Sequence, residues 1–97
     1  MNSYKFEWDE NKNQINIKKH GISFENAQEI FYDDAAILFD DPEHSKDEER
    51  FLIIGNDERE KTCIVSHCYR KEDVIRIISA RKATAKEKQI YLKWNAR

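Results

Sequence analysis

Apolar and polar residues alternate at the start of the chain, and the spacing then becomes helical. Residues 4–8 alternate aromatic with polar side chains, which indicates a short strand or a docked N-terminal arm. Asp9 is a typical N-cap for a helix over residues 10–19, which ends in a basic turn before Gly21. Ser23 caps a second predicted helix. Its buried stripe is predicted at Phe24, Ala27, Ile30 and Phe31.

The rest of the chain has the pattern of strands joined by short polar links. Residues 35–39 form a compact apolar run, and a charged loop follows to about residue 48. Residues 50–55, 62–69 and 74–80 are strand-like, and their polar links are typical of hairpins. Thr84 and Glu87 match a capping box for a C-terminal helix that ends near residue 96. The pattern predicts an α+β domain over residues 1–97, an antiparallel meander with two N-terminal helices and one C-terminal helix packed on it.

Composition supports one folded domain. The chain has 97 residues, of which 39% are hydrophobic and 37% charged, with only 2 Gly and 1 Pro, so disordered and collagen-like classes are excluded. No apolar run approaches a membrane span and the first fifteen residues have no apolar signal core, so we expect a cytoplasmic protein with no membrane partner. Cys63 and Cys68 point to opposite faces of their strand, so we expect both to be reduced.

The net charge of −2 conceals a strong segregation along the chain. Residues 33–60 contain 11 acidic and 3 basic side chains, whereas residues 61–97 contain 3 acidic and 10 basic ones. A basic last third is suited to a polyanion if its charges lie on one side of the fold. The alternative is that the acidic middle neutralises it internally.

Few sequence motifs suggest a cofactor or a metal. Glycine-rich phosphate loops, zinc-type histidine motifs and paired CxxC motifs are all absent. His44 follows three acidic residues, but no second His or Cys completes a ligand set, so a solvated turn is the preferred interpretation. We therefore predict no metal and no cofactor.

Arg76 interrupts a strand that is otherwise apolar on both faces. Alternation places it on the face of Val74, Ile78 and Ala80, where a guanidinium needs an anionic partner. Neighbouring strands contribute Arg50, His67 and Tyr69, so one sheet face or its end is predicted to gather guanidinium, imidazole and phenol groups. The structural alternative pairs Arg76 with Glu49 or Glu72, makes His67 a satisfied buried histidine and leaves Arg50 as a strand-edge charge.

Two further basic groups lie at the ends of predicted elements. Lys18, Lys19 and His20 occupy the last turn of the first helix, where the helix dipole and capping account for them, although they also suit a phosphate. Arg81 and Lys82 precede the Thr84 cap, where free backbone N–H groups favour an anion.

Several segments together resemble one known family. They are FEWD at residues 6–9, KHGISFE at 19–25, DP at 41–42, ERF at 49–51 with IG at 54–55, and RIISAR at 76–81. In order and spacing they resemble the BrnT family of type II toxins over nearly the whole chain. The resemblance implies a fold similar to the RelE superfamily, whose small α+β ribonucleases cleave RNA without a metal. It also implies a BrnA-type antitoxin that binds the toxin as a hetero-oligomer, with DNA contacted only through the antitoxin.

Carried onto this sequence, the resemblance implies a set of site residues. The matching positions are His20, Arg50, Arg76 and Arg81, with Lys19, Glu49, His67 and Tyr69 as weaker candidates. With the basic groups described above, the catalytic candidates are His20, Arg50, Arg76, Arg81 and Glu49, and the RNA-binding candidates are Lys18, Lys19, His67, Tyr69 and Lys82. Metal-free cleavage needs a 2′-OH to attack the adjacent phosphate, cations to offset the phosphorane charge and a proton for the leaving oxygen. Arg76 and Arg81 are assigned to the phosphate and His20 to general acid or base catalysis, with Glu49 or Tyr69 as its partner.

The acidic middle segment is poorly suited to RNA, so we expect it to face away from the substrate and to contact a basic antitoxin. Two other functions stay open from the sequence. One is a non-catalytic module that binds RNA or a protein through the same basic face, and the other is a structural partner of a DNA-binding protein.

Overall fold

The computed structural model describes residues 3–96, apart from the side chain of Glu72. Within this range the chain forms five strands and three α-helices. The strands are β1 (Lys5–Glu7), β2 (Ile37–Asp40), β3 (Phe51–Asn56), β4 (Thr62–Tyr69) and β5 (Val74–Lys82). The helices are α1 (Glu10–His20), α2 (Phe24–Ala27) and α3 (Ala85–Asn95), and short 3-10 turns span Gln28–Tyr32, Pro42–His44 and Lys71–Asp73. None of the described helices has the length and apolar composition needed to cross a membrane.

The predicted helix caps are confirmed. The Asp9 carboxylate accepts the backbone N–H groups of Asn11 and Lys12 at the start of α1. Gly21 ends that helix in the left-handed conformation, with φ 72°, which a residue without a Cβ adopts at little cost. Thr84 and Glu87 form the predicted capping box of α3, in which each side chain accepts the other residue's backbone N–H.

The second helix is shorter than its apolar stripe suggests. The α-helix ends at Ala27, and residues 28–32 continue as a 3-10 helix. Phe24, Ala27, Ile30 and Phe31 are all buried nonetheless. A three-residue spacing lies on one line of a 3-10 helix as well as on one face of an α-helix, so the pattern alone did not distinguish them.

The five strands form one mixed sheet in the order β1-β5-β4-β3-β2. The pairs from β2 to β5 are antiparallel, whereas β1 pairs parallel with β5, with Lys5 opposite Val74 and Glu7 opposite Arg76. The prediction of a wholly antiparallel sheet was therefore wrong. No hairpin joins β1 to β5, and the intervening chain is long enough for the crossover that a parallel pair requires.

The two faces of the sheet pack against different helices. The α2 face contains the larger core, in which Ile53, Val65 and Ile77 pack against the side chains of α2 and its 3-10 continuation. The α3 face contains a smaller core of Ile37, Ile54, Ile64 and Tyr91. Tyr91 is the one buried residue of α3, so this helix covers its face only partly.

A β-bulge in β5 determines which side chains share a face. Ser79 pairs with Ser66 and Ile77 with His67, so Ile78 is an extra residue without a partner on β4. The bulge reverses the alternation after Ile77, and Ala80 therefore joins the core of the α2 face. The prediction that Arg76 and Ala80 share a face was wrong for this reason.

The edge of β5 beyond β1 is closed by a side chain. The buried Asn16 amide donates to the Ala80 carbonyl at 2.9 Å and accepts the Ala80 N–H at 3.1 Å, as a neighbouring strand would. It also donates to the Ile22 carbonyl at 2.8 Å. Asn16 thereby ties α1 to the end of β5 and positions the basic last turn of α1.

Candidate active site

Arg76 lies on the α3 face, and its partner comes from the N-terminal strand. The register places Glu7 directly opposite Arg76, and the guanidinium donates to the Glu7 carboxylate at 2.8 Å. Both side chains remain open to solvent, with 30% of Arg76 and 42% of Glu7 exposed. The predicted partner Glu49 is exposed and makes no ion pair within residues 3–96, and the side chain of Glu72 lies outside the described residues.

A second arginine extends this charged group along the sheet. Arg70, which follows β4, forms an ion pair with Glu48 at 3.2 Å and lies 4.0 Å from the Glu7 carboxylate. Sequence reasoning missed Arg70, Glu48 and Glu7, although Glu7 is the polar residue between the two large aromatic residues of the opening strand. Assigning that strand as the neighbour of β5 would have revealed the pair with Arg76.

The two cysteines are free and buried, as predicted. Cys68 pairs with Arg76 in the β4–β5 register, and burial, with the nearby Glu48 charge, raises the pKa of its thiol. Burial raises the pKa of Cys63 to about 11. Both thiols therefore stay protonated at neutral pH, which makes them poor nucleophiles.

Arg50 precedes β3 at the same end of the sheet. Phe51 pairs with His67 on the α2 face, so alternation directs Arg50 to the α3 face. Arg50 and Glu48 line an open cavity of about 300 Å³ formed by the loop between β2 and β3. The Ser45 hydroxyl accepts the Arg50 N–H at 2.8 Å, which fixes the loop against the start of β3.

Arg81 shares the α3 face with Arg76 because of the bulge. Its guanidinium forms a two-armed interaction with Glu87, at 2.8 and 2.9 Å, which connects β5 to the first turn of α3. The hydrogen bonds from Arg81 lower the pKa of Glu87 to about 2. Arg81 therefore holds α3 in place, and both arms of its fork are occupied.

His67 and Tyr69 lie at the same end of the sheet as Arg50 and Arg76 but on its other face. His67 is fully buried on the α2 face, where its ring packs on Phe31 and its Nε2 lies 3.3 Å from the Tyr69 hydroxyl. Burial lowers the pKa of His67, so the ring is neutral at pH 7, and burial raises the pKa of Tyr69. The prediction that one sheet face or its end gathers these groups was wrong for the face, because β4 directs the imidazole and the phenol to the face opposite Arg76. All of them nevertheless lie at the same end of the sheet.

His20 and Lys82 lie together in a separate cavity of about 330 Å³ on the α2 side of the sheet end. Lys18 and Lys19 are exposed in the last turn of α1. The structure thus divides the predicted site into two groups. Arg50, Arg76 and Arg81 share the α3 face, and His20 and Lys82 lie beyond the opposite one.

The α3 face can bind an anion. Four arginines lie on this face or at its end, namely Arg50, Arg70, Arg76 and Arg81. Three of them pair with carboxylates that are partly exposed, and these carboxylates are Glu7, Glu48 and Glu87. Exposed ion pairs contribute about 0–1 kcal/mol each, so a phosphate can compete for Arg70 or Arg76, whereas the two-armed pair of Arg81 with the less exposed Glu87 is displaced less readily. Within residues 3–96, no three His, Cys, Asp or Glu side chains are grouped so that they could hold a metal ion.

Comparisons with known proteins agree with the sequence motifs. The family model described as the ribonuclease toxin BrnT of type II toxin-antitoxin systems matches residues 8–87. Among solved structures, the crystal structure of the Brucella abortus ribonuclease toxin BrnT is similar, with a TM-score of 0.65 and 27% sequence identity over 84% of this chain and 99% of that one. No curated protein matches the sequence. The family model covers most of the chain, and the chain therefore belongs to the BrnT family of ribonuclease toxins of type II toxin-antitoxin systems.

Proposed function

We propose that this toxin binds single-stranded RNA across the α3 face and cleaves it without a metal ion, by attack of a 2′-OH on the adjacent phosphate. The observation that supports this best is the position of Arg76, which lies on the open part of the sheet with a single, partly exposed carboxylate partner. A guanidinium stays protonated throughout the reaction and can hold two phosphate oxygens at once. Arg76 is thus suited to stabilising the charge that develops on the phosphorane.

Proton transfer in this proposal belongs to a carboxylate rather than to His20. Glu7 lies 2.8 Å from Arg76, so a phosphate bound to Arg76 brings the 2′-OH of the adjoining ribose close to the Glu7 carboxylate, which accepts its proton. The 2′-oxygen then bonds to phosphorus, the bond to the 5′-oxygen breaks, and this leaving oxygen takes a proton from water. His20 lines a cavity on the other side of the sheet end and cannot reach the same phosphate. Glu49, exposed beside Arg50, is a further carboxylate at this end besides Glu7 and Glu48.

Arg76 and Arg81 serve different phosphates in this arrangement. The two residues are five positions apart, which corresponds to about 16 Å along a strand and slightly less across the bulge. This distance is too long for both guanidinium groups to bind one phosphate. An RNA strand that lies along β5 would instead place successive phosphates near the two guanidinium groups. Arg81 contributes as a positioning residue for α3 as long as Glu87 occupies its fork.

The proposed protein partner is a BrnA-type antitoxin that contacts the acidic side of the toxin, while DNA is bound by the antitoxin. An open groove of about 600 Å³ supports this docking surface, because six carboxylates line it: Glu25, Glu29, Asp33, Asp57, Glu58 and Glu60. Such a groove complements a basic partner and repels RNA.

The experiment that tests the catalytic proposal is cleavage of bulk RNA in EDTA by the wild type, Arg76→Ala and Arg76→Lys. We expect chelator-resistant cleavage by the wild type and a loss of about 10²–10³-fold in rate for Arg76→Ala, as for other transition-state donors. Arg76→Lys keeps the positive charge but loses the two-armed guanidinium, so the cleavage rate of this variant should lie between the rates of the wild type and Arg76→Ala.

Lys12→Ala is the matched control, because it removes one positive charge from an exposed position on α1. Equal rates for the wild type and Arg76→Ala would refute the assignment of Arg76. RNA binding without cleavage by any variant would contradict the catalytic proposal and favour a binding module.

A further inference from the structure

A second basic site lies beyond the sheet face opposite Arg76. Three cationic side chains and one imidazole line the cavity of about 330 Å³ between the end of α1, the β3–β4 turn and the end of β5: Arg59, Lys61, Lys82 and His20. We refer to this cavity as the basic cleft. Arg59 belongs to the acidic segment of residues 33–60, so the charge pattern alone did not reveal it.

The strand register brings the two lysines together. Lys82 pairs with Cys63, and Lys61 lies two residues before Cys63, so both lysines face the same side as diagonal neighbours about 7–8 Å apart. The Ala83 N–H donates to the Thr62 carbonyl at 3.0 Å and holds the two strand ends in this register. The spacing of the positive charges is therefore built into the sheet.

The cleft has a net positive charge because the side chains of Arg59, Lys61 and Lys82 outnumber the one carboxylate among its described residues, Asp57. Asp57 is buried, and its oxygens accept the backbone N–H groups of Arg59 and Lys61, each at 2.9 Å, and the Asn26 amide at 3.3 Å. Within residues 3–96, no ion pair involves the side chains of Arg59, Lys61, Lys82 or His20. On the α3 face, by contrast, Arg70, Arg76 and Arg81 are all paired with a carboxylate.

We propose that the basic cleft binds backbone phosphates of the RNA that flanks the segment on the α3 face. The proposal rests on the proposed RNA-binding function. Arg81 and Lys82 are consecutive residues whose side chains point to opposite faces at the end of β5. An RNA strand bound near Arg81 therefore reaches Lys82 by passing around this end of the sheet. The cavity volume lies within the range of nucleotide-sized pockets.

The chemistry of the cleft favours RNA over an acidic protein segment. Protein interfaces are anchored mainly by buried aromatic side chains, and the described lining of this cleft has no Phe, Tyr or Trp; its large apolar residues are Ile17 and Ile22. Lysine ammonium groups that make no direct ion pair with a described residue, at a fixed spacing, are instead suited to successive phosphates of a flexible backbone.

The test is the salt dependence of binding to a 12-nucleotide single-stranded RNA that has 2′-O-methyl groups and is therefore not cleaved. Each phosphate contact on a single strand contributes about 0.7 to the slope of log K against log salt concentration. Lys61→Gln and Lys82→Gln should each reduce the slope by about 0.7 and the double variant by about 1.4. Raising the salt concentration from 50 to 200 mM weakens binding by some factor in the wild type, and this factor should be about seven times smaller for the double variant.

Lys12→Gln is the control for the removal of one charge, and it should leave the slope at the wild-type value. A slope for the double variant equal to that of Lys12→Gln would overturn the proposal, whatever the fate of cleavage. Because this RNA has no free 2′-OH, the result is independent of the Arg76 experiment. A failed cleavage proposal combined with a reduced slope would leave the basic cleft established as an RNA site.

Discussion

The link between Arg81 and Glu87 allows a quantitative prediction about how α3 is held. Glu87 accepts both arms of the Arg81 fork and also the Thr84 N–H, so it belongs to an ion pair and to a capping box. Glu87→Gln removes the charge but retains a carbonyl that can accept the Thr84 N–H, because Gln also occurs at this position of capping boxes. The substitution therefore isolates the ion pair.

The magnitude follows from the pKa. A carboxyl whose pKa falls from 4.5 to about 2 on folding gains about 3 kcal/mol in its ionised form. Arg81 is 42% exposed, so solvent screens the pair, and we expect about 1–2 kcal/mol of folding stability at pH 7. The folded pKa is the lower one, so this contribution is complete above about pH 4.5, more than half lost by about pH 3 and gone well below pH 2.

The assay is urea unfolding of the wild type and Glu87→Gln at pH 7, 5 and 3, followed by far-ultraviolet circular dichroism. The difference in unfolding free energy should shrink between pH 5 and pH 3, while Glu43→Gln, an exposed loop change, should show little difference at any pH. A difference that is the same at pH 7 and pH 3 would refute the reasoning, because the lost stability would then be unrelated to the Glu87 charge.

Two further substitutions test how α1 and α3 are attached. Asn16→Ala leaves the Ala80 N–H and carbonyl without their partner, so urea unfolding should show a loss of about 2–4 kcal/mol; a loss below about 1 kcal/mol would contradict the role of Asn16 as an edge partner. Tyr91→Phe removes a hydroxyl that donates to Asp33 at 2.7 Å, and burial together with this bond raises the Tyr91 pKa to about 12. We expect the free energy of unfolding to fall by about 1 kcal/mol, and amide hydrogen exchange to become faster in α3 while it changes less in α1. Exchange in α3 at the wild-type rate would argue against this anchor.

Local chemistry made the helix ends predictable. Asp9, Gly21 and Thr84 act within three or four residues of their own positions, so their sequence context is enough to locate the ends of α1 and the start of α3. The strands β3, β4 and β5 followed from runs of apolar residues between polar turns in the same way. Propensity and alternation are short-range properties, and these elements depend on little else.

Contacts between distant residues were not predictable from such patterns. Arg76 and Glu7 are 69 residues apart, and their pairing depends on the parallel docking of β1, which no local signal specifies. Likewise, no sequence signal distinguishes the bulge at Ile78 within a run of apolar residues, yet the bulge determines which side chains lie on the same face of the sheet as Arg76. The arginines themselves were predictable as charged exceptions in apolar strands, whereas their partners were not.

The extra residue in β5 also determines how the strand tolerates changes in length. Arg76 and Arg81 are five positions apart, and in a regular strand an odd separation would put them on opposite faces. Removing Ile78 would restore an even separation and an unbroken ladder, so both arginines would keep their present face. Inserting one residue between them would separate them onto different faces. A β5 shortened by one residue therefore preserves the arrangement of charges, and one lengthened by one residue destroys it.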